Sequence, residues 1–274
     1  MKTGNYFELV IQADEALQEL LIAELAGIGY EGFEESGLAL KAYIPEANFS
    51  NNKLNKLSSQ YHFTHSKSII YKQNWNEVWE SNFEPVQVAD FVGIRAGFHP
   101  PFNGVAHEII ITPKMSFGTG HHATTYTVMQ MMQELDWKGK SVFDFGTGTG
   151  ILAILAEKLG AAKVLAVDND DWCIENALEN ISINQCKLID IQKVDSLKFN
   201  DTFNIILANI NKNIILDNLH FLSEALSQDG QLLLSGLLKE DEIDILAACH
   251  SLGLQHQKTL TRNGWIAALF CRIS

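Results

Sequence analysis

Residues Val142 to Gly150 read V-F-D-F-G-T-G-T-G, and residues 162–168 read A-K-V-L-A-V-D, closing on a second acid at Asp168. The first stretch is an apolar strand that runs into three glycines at alternate positions, Gly146, Gly148 and Gly150. The segment I-L-A-I-L-A-E-K-L-G that follows carries the apolar repeat of a helix. Glycine permits positive φ and lets a ligand come close to the main chain. A carboxylate at the tip of the next strand stands where a ribose diol is held by two hydrogen bonds. Strand, glycine turn, helix, strand and acid together imply a site for an adenosine-bearing cofactor.

The glycine spacing separates two such cofactors. A dinucleotide fingerprint needs G-x-G-x-x-G, but Ile151 stands three residues after Gly148. Here Asp144 lies inside the strand, two residues before Gly146, too early for a ribose contact. It falls near the cofactor's far end, which is an ammonium in S-adenosylmethionine and a pyrophosphate in NAD. A buried carboxylate repels the second and attracts the first.

Outward from this motif, strands and helices alternate. Apolar strands at 141–145, 163–168 and 203–208 are separated by helices near 150–160 and 170–184, with a short strand near 189–194. A helix at 213–227, a strand at 230–235 and a helix at 239–250 follow, then two strands near 254–260 and 264–271 joined at Asn263-Gly264. Such alternation predicts an α/β fold: a mostly parallel sheet with helices on both faces and an antiparallel pair at its C-terminal edge. Ligands of such sheets lie across the carboxyl ends of the strands. Residues 1–65 read β-α-β-β-α-β, with a turn at Ser36-Gly37, which is the pattern of a small α+β ferredoxin-like domain. Residues 66–113 read as a connector in which Trp75, Trp79 and Phe83 recur on one helical face before Pro85, and two short strands flank F-H-P-P-F-N-G. Residues 114–274 form the cofactor-binding domain.

The chain has 33 acidic against 20 basic residues, a formal net charge of −13. That balance argues against a surface that tracks nucleic acid, and it suits a cationic partner. Residues 1–65 share the excess, with nine acids against four bases. No stretch reaches the length of about 18 apolar residues of a membrane span. The opening M-K-T-G-N-Y-F-E meets acid too early for a signal peptide, so a cytoplasmic protein is expected. Its four cysteines lack C-x-x-C spacing, which predicts neither a zinc site nor a disulfide framework.

Three further segments fall around the predicted cleft. M-S-F-G-T-G-H-H-A-T-T, residues 115–125, makes a tight turn before a helix, where Thr124 or Thr125 offers a hydroxyl and the helix start favours the cofactor's carboxylate. Phe117 is placed beside a sulfonium, where ring attraction is worth about 1 kcal/mol. His121 and His122 are adjacent and point apart, and no acid or cysteine completes a ligand set, so no metal is expected. Capping is the expected work of His122. The strand F-N-I-I-L-A-N ends on Asn209, opposite the glycine turn. Asn209 can orient an incoming amine by accepting its N–H bonds, and it can also cap the next helix. L-L-L-S-G-L-L ends a further strand at Ser235-Gly236, and Asp195 is positioned for the adenine amino group.

These residues closely resemble the ribosomal protein L11 methyltransferase (PrmA) family over essentially the whole chain. F-G-T-G-H-H-A-T-T at 117–125 is similar to that family's F-G-T-G-x-H-x-T-T, and D-F-G-T-G-T-G at 144–150 to its class I methyltransferase glycine motif. A-N-I at 208–210 and the Trp75, Trp79, Asn82, Phe83, Pro85 series also match. The resemblance implies a class I methyltransferase (Rossmann-like) fold, with S-adenosyl-L-methionine contacts at Thr125, Gly146, Asp168 and Asn209. It implies lysine side chains and the α-amino group of large-subunit ribosomal protein L11 as the methyl acceptors, held by the N-terminal module. One departure stands out: family members carry a proline shortly after the Asn, where this chain has Asn211, Lys212 and Ile214. Amide- and adenine-modifying enzymes present N-P-P-Y after this strand, which Asn209-Ile210-Asn211 lacks. A methyltransferase of another protein or small-molecule amine, and a non-catalytic binder of the cofactor, remain the alternatives.

Overall fold

The computed structural model describes residues 5–70, 83–114, 118–197 and 201–272. Trp75, Trp79, Asn82 and Phe117 lie outside the described residues. The chain divides into two compact units, residues 1–78 and 79–274.

The first unit contains β1 (Tyr6–Gln12), α1 (Glu15–Gly27), β2 (Gly32–Ser36), β3 (Ala39–Pro45), α2 (Asn51–Tyr61) and β4 (His65–Ile70). Its antiparallel sheet has the order β2-β3-β1-β4, the ferredoxin-like arrangement. Alternation drives it: Leu9 and Ile11 of β1 and Leu40, Ala42 and Ile44 of β3 share one buried face. Leu21 and Leu25 of α1 and Leu54 and Leu57 of α2 cover that face. Asp14 starts α1 by accepting the Leu17 N–H at 2.9 Å. The β2–β3 hairpin turns at Gly37, whose φ of 60° is the left-handed conformation expected of Ser36-Gly37.

The second unit begins with β5 (Val86–Val88), β6 (Val92–Ala96) and β7 (His107–Ile111), a small sheet in which β5 is antiparallel and β7 parallel to β6. The remaining elements are α3 (Ala123–Met132), β8 (Ser141–Phe145), α4 (Ile151–Lys158), β9 (Lys163–Asp168), α5 (Asp171–Ile183) and β10 (Ile189–Lys193). They continue with β11 (Phe203–Asn209), α6 (Lys212–Glu224), β12 (Leu226–Leu238), α7 (Glu242–Ser251), β13 (Leu254–Arg262) and β14 (Trp265–Arg272). The seven strands from β8 onward form one sheet of order β10-β9-β8-β11-β12-β14-β13. Pairings from β10 to β12 are parallel, and those of β14 with β12 and β13 are antiparallel. The chain leaves β8 first toward β9 and later toward β11, so a topological switch point opens between the ends of β8 and β11.

The central strands bury both faces. Val142 of β8 belongs to one apolar cluster, with Met129, Ile154 and the small sheet's Ile94 and Ile109. Its neighbour Phe143 belongs to the other, with Phe203, Leu219 and Phe270. That is why these strands read as continuous apolar runs. β12 is longer than the 230–235 expected. Its pairing with β11 begins at Leu226, and its pairing with β14 continues past a bulge to Leu238, so its partners set its ends.

Candidate functional site

The glycine turn is held by the neighbouring strand. The Gly146 and Thr147 N–H groups both donate to the Val167 carbonyl at 2.9 Å, and the Gly148 N–H donates to Asp168 Oδ2 at 2.9 Å. Asp168 Oδ1 accepts from the Asp170 N–H at 3.1 Å. Asp168 therefore fixes the turn after β8 while it faces the cleft, and it keeps lone pairs for a ligand. Two glycines let the strand ends crowd together. A Cβ on Gly146 would overlap the Ile210 side chain, and one on Gly236, at φ 82°, would overlap the Ile210 carbonyl. The bulge of β12 at Gly236 thus brings its backbone against the residue that follows Asn209.

Between these elements lies a cleft of about 580 Å³. Of the residues expected from sequence, Gly146, Gly148, Asp168 and Asn209 line it, as do His122, Asp195 and Gly236. Thr125 and Asp144 do not, being 0% and 1% exposed. Phe145, Cys173, Leu197, Asn218 and Trp265 line it without having been singled out. Phe145 was legible, since it sits inside the motif. Trp265 had no local signal, because only the insertion of β14 beside β12 carries it to the site. His122 caps α3, its Nδ1 accepting from the Thr124 N–H at 3.4 Å, and its ring meets Trp265 edge-on at 4.8 Å. Burial, then the charges of Asp168 and Asp170, push the Cys173 thiol up to about 11, so it stays protonated in the cleft wall.

Two buried oxygens in adjacent strands define the site's chemistry. Asp144 Oδ2 accepts from the Thr147 hydroxyl at 2.6 Å, while its Oδ1 has no partner among the described residues. Burial drives this carboxyl up to about 7, against the Thr147 bond and the pull of the Ala153 backbone N–H, while the charge of Asp168 adds to the shift. Asp144 pairs in register with Leu207. Asn209 therefore stands two residues further along the next strand, on the same face. Asn209 Nδ2 donates to Thr125 Oγ1 at 3.3 Å, and Asn209 Oδ1, also buried, has no partner among the described residues. The capping role open to Asn209 belongs instead to Asn211, whose Oδ1 accepts the Ile214 N–H at 3.1 Å at the start of α6. Buried acceptors without donors fit a ligand set that brings N–H groups and positive charge. Among the described residues no group of three potential metal ligands occurs.

A parallel sheet reversed at its last strand, a glycine turn after an acidic strand and an acid ending the next strand define a class I, S-adenosylmethionine-dependent methyltransferase. The model of the family described as ribosomal protein L11 methyltransferase (PrmA) matches residues 7–272. The chain belongs to that family. A protein of Porphyromonas gingivalis named ribosomal protein L11 methyltransferase is 44% identical over 277 residues, covering 96% of this chain and 95% of the relative. One of Chlorobaculum parvum with the same name is 37% identical, covering 98% of this chain and 97% of its own length. The crystal structure of a ribosomal protein L11 methylase from Lactobacillus delbrueckii subsp. bulgaricus superposes with a TM-score of 0.65 at 31% identity, covering 70% of this chain and all 100% of that one. Among the described residues no helix is long and apolar enough to cross a membrane.

Proposed function

We propose that this chain methylates lysine side chains and the N-terminal amine of ribosomal protein L11 in the cytoplasm. In this reading residues 1–65 recognise the protein substrate, 66–113 connect, and 114–274 hold cofactor and chemistry. The observation that carries it is the pair of unpartnered buried oxygens on adjacent strand ends, Asp144 Oδ1 and Asn209 Oδ1. One belongs to a carboxyl sealed behind the cleft wall, whose charged form a nearby ammonium would favour; the other is a neutral acceptor suited to an amine N–H.

Asp168 grips the ribose hydroxyls while holding Gly148, and Gly146 and Gly148 let the ligand lie against the main chain. Asp195 reaches the adenine amino group. S-adenosylmethionine supplies a methyl on a sulfonium: the amine's electron pair forms the N–C bond, the C–S pair leaves with sulfur, and the product's extra proton goes to solvent. A free lysine titrates near ~10.4, so the site must take it up deprotonated. Partial burial beside a positive charge disfavours the ammonium and promotes that state. With no evident general base in the motifs, alignment of the amine by Asn209 carries most of the acceleration. The net charge of −13 suits a basic protein substrate rather than nucleic acid.

Incubation with S-adenosylmethionine and ribosomal protein L11, read by mass spectrometry, tests the proposal. Increments of one methyl group on lysines and on the N-terminal amine are expected. An unmodified protein would overturn it.

A further inference from the structure

The loop that leaves β11 carries one wall of the cleft, since Asn209, Ile210, Asn211 and Ile214 all line it. Close to the strands the loop is tied by backbone: the Ile210 N–H donates to the Ser235 carbonyl at 3.2 Å, and Ile210 packs against Gly236. No proline lies between Asn209 and Leu219, so no ring fixes the backbone further out. A side chain ties it there instead. Lys212, the first residue of α6, sends its Nζ to Asp241 Oδ1 at 3.0 Å and to Asp244 Oδ2 at 2.6 Å. Asp241 Oδ2 also accepts the Leu238 N–H at 2.9 Å, and Leu238 pairs in register with Trp265, another lining residue. A cation is disfavoured in the first turn of a helix, where the free N–H groups already present positive charge. Lys212 therefore gains nothing from its own helix; its partners stand at the start of α7, where acids are favoured.

We infer that Lys212 is a positioning residue: its ion pairs, above all the one with Asp241, latch the β11–α6 loop to the end of β12 and hold the Asn209–Asn211 wall where the reacting amine needs it. This rests on the function proposed above and names what keeps that site in shape. Lys212 does not itself line the cleft, so it acts only through the loop. Its two partners are unequal. The Asp241 side chain is 16% exposed and that of Asp244 64%, and water and salt weaken the more exposed pair. The glycine turn and Asp168, which belong to β8 and β9, make no contact with this latch. Its loss should therefore spare cofactor binding and misplace the wall alone. A misplacement of about 1 Å is enough to cost up to about 100-fold in rate.

The test compares wild type with Lys212→Met, which keeps an unbranched stem and drops the charge, and with Lys212→Arg, which restores the charge. With ribosomal protein L11 as substrate, Lys212→Met should lower kcat roughly 10- to 100-fold while the KM for S-adenosylmethionine stays within about twofold of wild type. Lys212→Arg should recover most of the loss, and Asp241→Asn should behave like Lys212→Met. In an Asn209→Ala background Lys212→Met should lower kcat far less, because the group it positions is already gone. The same factor in both backgrounds would reduce Lys212 to a structural role and overturn the inference. An unchanged kcat, or a raised KM for S-adenosylmethionine with kcat intact, would overturn it too. A second arm needs no protein substrate. In protein bound to S-adenosylhomocysteine, the Ile214 N–H, which Asn211 holds at the start of α6, should exchange with solvent roughly fivefold faster in Lys212→Met. The Gly148 N–H, held by Asp168, should keep its wild-type rate. Equal exchange at Ile214 would show that Lys212 is no latch. Should wild type itself fail to modify ribosomal protein L11, the functional reading falls, and the exchange arm still decides whether Lys212 holds the loop. Should Lys212→Met not fold, Lys212→Gln serves in both arms.

Discussion

Asp144 and Asp168 lie one strand apart, and their surroundings push them toward different work. Asp168 is partly exposed and accepts two backbone N–H groups, which leaves lone pairs to grip hydroxyls. Replacing it with Ala removes the proposed ribose contact and the acceptor that holds the Gly148 N–H. Affinity for S-adenosylmethionine should fall about 100-fold by calorimetry, since each bond to a charged acceptor is worth about 1.5–3 kcal/mol. An unchanged affinity would place the ribose elsewhere. Asp144 is sealed, and burial first of all lifts its carboxyl to about 7. A group raised in this way keeps its proton in the fold at pH values where the unfolded chain gives it up. Its contribution is therefore complete at low pH and is lost as pH rises through about 7. Asp144→Asn should raise the melting temperature of the ligand-free protein by a few degrees, and more near pH 8 than near pH 5. The same change should weaken cofactor binding if, as proposed, the charge of Asp144 acts on the cofactor's ammonium from behind the cleft wall. Equal shifts at both pH values would show that Asp144 is not the residue that titrates.

At the level of elements, the turns after β8 and β11 and the bulge of β12 meet at Ile210. Gly236 tolerates that meeting only because it has no Cβ and adopts φ 82°. Gly236→Ala should cost about 1–3 kcal/mol from backbone strain alone. It should also push Ile210, and with it Asn209, out of place, so kcat should drop further than cofactor affinity does. Thermal melting together with both constants checks this, and a variant that melts like wild type would show the crowding to be absorbed elsewhere. The elements that meet here differ in how far the sequence revealed them. β8 and β9 were legible because both faces are buried, which leaves a bare apolar run with turn residues at its ends. The ends of β12 were not, because pairing rather than composition sets them. Asn209 and Asn211 illustrate a finer limit. Both are good caps by residue type, and only the helix start seen at Lys212 shows that Asn211 caps while Asn209 is left for the cleft. Thr125 was legible as a hydroxyl at a helix start, but its engagement by an amide 84 residues away was not.

On the scale of the whole chain, each of the two units has its own apolar core. Residues 79–274 alone should fold cooperatively and bind S-adenosylmethionine with wild-type affinity, yet fail to modify ribosomal protein L11 if residues 1–65 recognise it. Calorimetry and mass spectrometry on the truncated and full chains decide the matter, and full activity without the first unit would move recognition into the second. Trp265 is the clearest case of a site residue visible only at this scale, because no motif surrounds it. It reaches the cleft because β14, last of the strands in chain order, is inserted between β12 and β13.

That insertion has a consequence for the order in which the molecule is made. A nascent chain is delivered from its N-terminal end, and its parts begin to fold as they emerge. Until residues 265–272 have been synthesised, β12 has a bare edge and the binding crevice lacks a wall. An incomplete polypeptide of this kind exposes sticky backbone and has no finished catalytic pocket, so competence arrives abruptly with that strand.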